Sequence, residues 1–315
     1  MRIGIDAMGG DFAPTEVLKG AVAFLDELSN DIEIVLFGQQ AVIEKEIANL
    51  NINNKNLIVV DASEVIEMAE HPTRALSQKK DSSIVKGYAY LKQNEIDAFV
   101  GAGNTGAMLV GAIYSIQNIP GVIRPTISTL LPKTNGAQGL LVDVGANSDC
   151  KPDILYQFGI LGSLYAQHVL KIEKPKVGLI NIGEEEGKGN LLTQATYSLM
   201  KENDAFNFVG NVEGRDIFND NADVLICDGF TGNVILKTIE GFYTAMKKDG
   251  AKNPFLDRFD HEDYGGTPII GVNAPVIIGH GISKSKSFKN MLSLAKNIVD
   301  SKLIEKINKT FKEYE

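Results

Sequence analysis

Seven polar, glycine-containing turns, each set directly after an apolar run of strand length, limit the folds open to this sequence. They are MGGD from Met8, GAGNTG from Gly101, DVGAN from Asp143, NIGEEEG from Asn181, GNVEG from Gly210, DGFTGN from Asp228 and GHGIS from Gly279. In a parallel sheet the C-terminal strand ends share one rim, so turns distant in sequence are expected to gather around one crevice. Glycine at such turns permits positive φ and lets backbone amides approach a ligand. A helix that starts immediately afterwards aims free N–H groups at the same rim, which suits an anion.

The elements between these turns alternate. RIGIDA (2–7), IEIVLF (32–37), LIVV (57–60) and KVGLIN (176–181) read as strands; amphipathic stretches at 14–28, 41–50, 83–92, 105–116, 152–170 and 191–202 read as helices. Short apolar strands separated by amphipathic helices predict an α/β fold, a three-layer α/β/α sandwich with a mostly parallel sheet. The neighbouring strands 126–131 and 140–144, joined by a polar glycine turn, predict one antiparallel excursion. No repeat and no proline- or serine-rich linker divides the chain, so 1–315 reads as a single domain with an irregular projecting segment around 247–266. A last helix is expected over 287–311, its apolar stripe from Phe288 to Ile307 closing a core and its lysines facing solvent; the alternative is a membrane-surface helix.

The formal charge of −9 argues against nucleic-acid binding, which needs clustered basic surface. Cys150 and Cys227 are far apart and lack CxxC spacing, which excludes a disulfide scaffold, a zinc ribbon and a dithiol motif. MRIGIDAMGGD turns acidic and glycine-rich before a signal-like region develops, and no run of eighteen apolar residues occurs, so a soluble cytoplasmic protein is expected. GAGNTG is only a partial dinucleotide loop, and IGEEEGKG lacks the Walker spacing. His71, His168, His261 and His280 show no metal-ligand spacing, so no metal is assigned. His280, between two glycines after an apolar run, is the histidine placed for catalysis.

Cationic chemistry concentrates in HPTRALSQKKDSS (71–83), read as a basic loop before a helix cap. Arg74 offers a bidentate fork, Lys79 and Lys80 neutralise charge, and Ser82 and Ser83 offer hydroxyl or amide donors to a phosphate. In DGFTGNVILK, Asn233 and Lys237 share a helical face; Ile235, Ile239 and Phe242 are expected to be the buried side, leaving Lys237 toward the crevice or an inter-subunit groove.

These blocks, together with LLVDVGAN (140–147), FVGNVEGRDIF (208–218) and YGGTPIIGVNAPVIIGHG (264–281), resemble the PlsX-type phosphate acyltransferases of bacterial phospholipid synthesis over nearly the whole chain. The resemblance implies a fold related to isocitrate and isopropylmalate dehydrogenases, a homodimer, and no required cofactor. It implies conversion of long-chain acyl-acyl-carrier-protein and inorganic phosphate to acyl phosphate and free carrier protein. The chain departs from the family pattern in having Ala274 where GVNG is usual, Ile282 where HGSS is usual, and a short segment between Gly241 and Tyr264. The resemblance associates a longer helical hairpin at that segment with dimerisation and membrane contact, so only weak, transient membrane attachment is expected here; Phe255, Leu256 and Phe259 and the lysine face of the last helix are the candidate contacts, and both also suit packing of a dimer or core.

Phosphate would then be held by Gly9, Gly10, Asp11, Arg74, Lys79, Ser82, Ser83 and Gly229. Asn104, Asn233 and the amides after Gly229 would stabilise the oxyanion; His280 or Lys237 would protonate the departing thiolate, with Asp228 orienting one of these cations. Lys79 is assigned to catalysis as well. Two other readings are a metal-dependent decarboxylating dehydrogenase of related fold and a non-catalytic carrier-binding scaffold.

Overall fold

The computed structural model describes residues 1–28 and 31–313. The chain forms two compact units, the first from Met1–Asn118 and His261–Asp300, the second from Ile119–Asp260 and Ser301–Glu315. In chain order the first stretch contributes β1 (Arg2–Asp6), α1 (Thr15–Leu25), β2 (Glu33–Gly38), α2 (Gln40–Asn49) and β3 (Leu57–Asp61). It continues with α3 (Pro72–Gln78), α4 (Ser83–Lys92), β4 (Ala98–Gly101) and α5 (Thr105–Gly111), which runs on as a π-helical turn to Ile116. The second unit follows with β5 (Thr126–Pro132), β6 (Gln138–Val142), α6 (Pro152–His168), β7 (Lys176–Asn181) and α7 (Leu191–Lys201). Then come β8 (Asn207–Glu213), β9 (Val224–Ile226), α8 (Gly229–Lys248) and α9 (Pro254–Asp257). The chain returns to the first unit for α10 (His261–Tyr264), β10 (Thr267–Ile270), β11 (Val276–Ile278) and α11 (Ser285–Asp300), and ends in the second with α12 (Leu303–Glu313).

Each unit is organised around a sheet. In the first, β3, β2, β1, β4 and β11 pair parallel in that order and β10 adds antiparallel to β11. In the second, β5 pairs antiparallel with β6, and β6, β9, β7 and β8 follow in parallel. The expected excursion at β5–β6 is present, and β10–β11 is a further one. Ile3, Ile5, Val35, Leu36, Phe99 and Val100 are fully buried in one sheet and Leu141, Val142, Val177 and Val224 in the other. Such continuous apolar runs are what strands covered on both faces require. The fold is the three-layer α/β/α sandwich with a mostly parallel sheet.

Four local expectations are corrected. GNVEG is not a strand-end turn: Gly210 to Glu213 lie inside β8, where Gly210 takes φ +96° beside a register shift opposite Val177 and Gly178. HPTRALSQ is not a loop but α3, opened by Pro72 at its first position, where a missing N–H is harmless. The C-terminal helix is two, α11 and α12, broken at Lys302 with φ 54°, a conformation that no helix interior tolerates. The stripes of both are buried, from Phe288 to Ile298 in α11 and at Leu303, Ile307 and Phe311 in α12, so they close cores.

The fourth concerns α8. Its buried residues are Gly229 and Gly232, whereas Ile235 and Ile239 are only half-buried and Phe242 is 62% exposed. These three side chains line an open apolar cavity instead of a core. Opposite them Phe255 and Phe259 pack edge-to-face with Phe218, ring centroids 5.2–6.1 Å apart. The segment around 247–266 is thus ordered by this cluster, by α9 and α10, and by Arg258, which donates to the carbonyls of Lys133, Gly136 and Ala137.

In the first unit, Gly87 on α4 lies against the Phe99 ring, which also meets Tyr88 and Phe37 edge-on at 5.2 and 6.0 Å. A Cβ at position 87 would overlap that ring. Gly87→Ala is therefore expected to destabilise by roughly 1–3 kcal/mol through overpacking, and Phe99→Leu to cost less in its presence than alone. Urea unfolding of the two single variants and the double variant measures the coupling; strict additivity would show that the close approach is not limiting.

Candidate active site

In the first unit, β1, β4 and β11 are sheet neighbours running the same way, so the turns after Asp6, Gly101 and Ile278 meet at one edge. They are tied together by their backbones. The Asp11 amide donates to the Gly281 carbonyl and the Gly279 amide to that of Gly101, both at 2.8 Å. Gly9 sits so close to Gly103 that a Cβ would meet the Gly103 nitrogen at 2.6 Å, and Gly10 turns the chain with φ +105°. Only glycine fits both positions.

At the root of this rim stands Asp6, 2% exposed. Burial raises its pKa, against the pull of hydrogen bonds from the Ser83 hydroxyl and the amides of Met8 and Gly9. Ser83 is therefore committed to Asp6. Ser82 caps α4, accepting from the Val85 amide at 3.4 Å and donating to the Lys79 carbonyl at 2.9 Å. Lys79 closes α3 with its ammonium on Glu70 at 2.6 Å and on the Val65 carbonyl at 2.5 Å; the pairing holds the Glu70 carboxyl below its usual range. The Lys80 ammonium bonds the Leu76 carbonyl on the exposed side. Arg74 projects from α3, exposed, its guanidinium without a hydrogen bond or ion pair among the described residues.

Asn104 takes a different place from that expected of an oxyanion donor. Its side-chain oxygen caps α5 through the Ala107 amide at 2.9 Å, and its NH2 group donates to the carbonyls of Glu67, Met68 and Glu70. Both amide hydrogens are occupied by backbone acceptors. Asn104 is a latch that fixes the loop before α3 against the glycine rim. His280 is exposed on the turn between Gly279 and Gly281, its carbonyl accepting from the Ser283 amide at 2.9 Å.

The second unit repeats the device. Asp143, fully buried after β6, accepts from the amides of Ile127, Ala146 and Asn147 and from the Asn147 side chain, at 2.7 to 3.2 Å. Burial raises its pKa. Asp228 caps α8 through the amide and hydroxyl of Thr231, each at 2.9 Å, so its carboxylate holds a helix start and does not orient a cation. The Gly229 amide is also taken, by the Asn147 carbonyl at 2.7 Å, which withdraws it as a phosphate donor. A Cβ at Gly232 would run into the Asp143 carbonyl, so α8 is seated directly on the Asp143 turn. Asn233 is exposed beside Gly145, without a hydrogen bond among the described residues, and Lys237 pairs with Glu240 at 2.7 Å on the exposed side. Cys150 and Cys227 flank the turn as protonated thiols, the first raised to about 12 chiefly by burial.

The assigned residues divide between the units: Gly9, Gly10, Asp11, Arg74, Lys79, Ser82, Ser83, Asn104 and His280 in the first, Asp228, Gly229, Asn233 and Lys237 in the second. Three residues went unassigned from sequence: Asp6, Asp143 and Glu70. The first two carried a signal, an acidic residue closing an apolar strand just before a glycine turn. Glu70 carried none, because only the fold brings it to Lys79.

A family model described as fatty acid synthesis protein matches residues 1–306. A phosphate acyltransferase of Halothermothrix orenii is 45% identical over 98% of this chain and 99% of its own length. One of Dictyoglomus turgidum is 42% identical over 98% of each. This chain belongs to the phosphate acyltransferase family. It is an acyltransferase, and the dehydrogenase and scaffold readings fall away. In fold it is similar to a phosphotransacetylase from Streptococcus pyogenes, with TM-score 0.67, 16% identity, and coverage of 97% of this chain and 94% of that one. Of the glycine turns that carried the resemblance, MGGD, GAGNTG and GHGIS form in this phosphate acyltransferase the set built on Asp6, and DVGAN and DGFTGN the set built on Asp143, while NIGEEEG follows β7 and belongs to neither.

The raised pKa of Asp6 gives a pH test. A carboxyl whose folded pKa lies above its ordinary 3.8 contributes stability that is complete below that pH and is lost as pH rises through the folded value. Asp6→Asn cannot ionise. The stability of the parent relative to this variant is therefore expected to fall as pH rises from about 4 toward neutrality, followed by urea midpoints; a pH-independent difference would show that Asp6 carries no such penalty.

Proposed function

We propose that this phosphate acyltransferase moves a long-chain acyl group from acyl carrier protein to inorganic phosphate in phospholipid synthesis, using both units for one activity over 1–315. A phosphate oxygen attacks the thioester carbonyl carbon, the carbon–sulfur bond breaks, and the carrier thiolate takes up a proton. Phosphate attacks directly, so no acyl-enzyme is needed. The observation that carries the reading is Arg74, an exposed guanidinium without an internal partner, on a helix whose leading loop is latched by Asn104 to the glycine rim.

Arg74 binds phosphate through its planar fork; in the turn at Gly9, Gly10 and Asp11 the amides of Gly9 and Asp11 are held by Asp6 and the Gly281 carbonyl, so those two residues shape the rim and do not donate from it. Lys79 joins only by leaving Glu70, and Ser82 and Ser83 support the site by holding the helix start and Asp6. Asn233, with its amide uncommitted, donates to the oxyanion; a donor so placed is worth about 2.7–4 kcal/mol in the transition state. His280 or Lys237 protonates the leaving thiolate. The enzyme acts as a cytoplasmic homodimer with weak, transient membrane contact. No helix among the described residues is long and apolar enough to cross a membrane, and the exposed Phe230 of α8 suits burial by a second copy.

The test is stoichiometry. Hexadecanoyl-carrier protein should be consumed only with phosphate present, releasing carrier thiol and acyl phosphate in equal amounts by mass spectrometry; thioester loss without acyl phosphate would overturn the reading. Arg74→Ala should lower kcat/KM for phosphate by about tenfold or more, equivalent to ~1.4 kcal/mol or more, and Lys80→Ala should change it little. An equal effect of the two would move the anion site away from α3.

A further inference from the structure

The second unit contains a cavity of about 630 Å³ that no part of the site above uses. Its size falls within the ~300–1,000 Å³ range of small-molecule sites. Ile235, Ile239 and Met246 of α8 form one wall, and the edge-to-face cluster of Phe218, Phe255 and Phe259 another. No charged side chain among the described residues lines it. Its three polar side chains are Thr238, Tyr243 and Asn253, and the last is turned to its own backbone, capping α9 through the amides of Phe255 and Leu256.

We infer that this cavity is the binding site for the hydrocarbon chain of the acyl substrate, laid along α8 with its thioester end at the first turn of that helix. The inference rests on the acyl-transfer reading and adds where the chain lies. Three observations support this occupant. The walls offer an alkyl chain burial without desolvating any charge. The cavity is continuous along the helix with the polar turn: Asn233 follows the first turn and Val234, the next residue, already lines the wall. From Asn233 to Met246 the axis advances roughly 20 Å at ~1.5 Å per residue, the length of an extended long-chain acyl group. The cavity is also preformed. The aromatic wall is held by its own ring contacts, and Arg258 ties the segment to the β5–β6 turn.

The experiment compares hexadecanoyl- and hexanoyl-carrier protein as donors, with inorganic phosphate, for the parent enzyme and Ile239→Trp. The indole fills the cavity, so the ratio of kcat/KM for the long donor over the short one is expected to fall at least tenfold. Thr238→Phe repeats the obstruction from an exposed position should Ile239→Trp fold poorly, and the same fall is expected. An unchanged ratio in a folded variant overturns the inference. If the ratio holds while sedimentation shows a change of mass, the wall belongs to a second copy; if it holds while vesicle flotation changes, it belongs to a lipid surface. Either result overturns it. Absence of phosphate-dependent turnover with both donors in the parent would remove the acyl-transfer reading instead. Saturable binding of a fluorescent hexadecanoic acid, lost in Ile239→Trp, would then still support the cavity, and equal binding by both proteins would overturn it.

Discussion

A strand buried on both faces must end somewhere, and its last backbone groups and the turn beyond need partners. In this chain a buried carboxylate provides them. Asp6 closes β1 and gathers the Ser83 hydroxyl with the amides of Met8 and Gly9; Asp143 follows β6 and gathers three amides and the Asn147 side chain. Each carboxylate thus shapes the glycine turn beside it, and each turn in turn sets where a helix begins. The arrangement opposes the ordinary ionisation of both acids, since burial raises their pKa values. Several N–H donors per carboxylate offset that cost, which is why the acids and the turns are inseparable.

The glycines follow from the same constraint. Gly9 against Gly103, and Gly232 against the Asp143 carbonyl, are places where two backbones touch with no room for a Cβ. Close approach of this kind leaves the turns rigid without large side chains. A rim of this type suits an anion because its geometry is fixed before the ligand arrives, so its dipoles need no reorganisation during reaction.

Much of this was legible in the sequence because it depends on local order. The βα alternation, the buried runs, the β5–β6 hairpin and the helix cap before α4 all follow from residues within a few positions of one another; Asp228, expected to orient a cation, caps α8 instead. What was not legible depends on partners distant in the chain or on competition for donors. Lys79 looked like a free cation until Glu70 stood beside it, and Asn104 looked like a free amide until three carbonyls from the 67–70 loop took its hydrogens. Gly210 read as a turn because glycine usually marks one, but a bulge in β8 also needs positive φ. Phe242 read as core by its helical spacing, yet periodicity identifies an apolar face without saying what covers it.

That competition for donors separates the residues that build the turns from those left to meet a substrate. Asp6, Ser82, Ser83, Asn104, Asp143, Asn147 and Asp228 all direct their polar atoms inward, to backbone amides, carbonyls or one another. Arg74 and Asn233 do not, although each sits on a helix that those inward bonds position. A side chain with no internal partner on a rigid support loses no existing bond when a ligand arrives, whereas one already paired must first give up its partner. By this argument the glycine turns supply fixed geometry, and the few uncommitted groups beside them are the ones proposed to meet phosphate and the thioester.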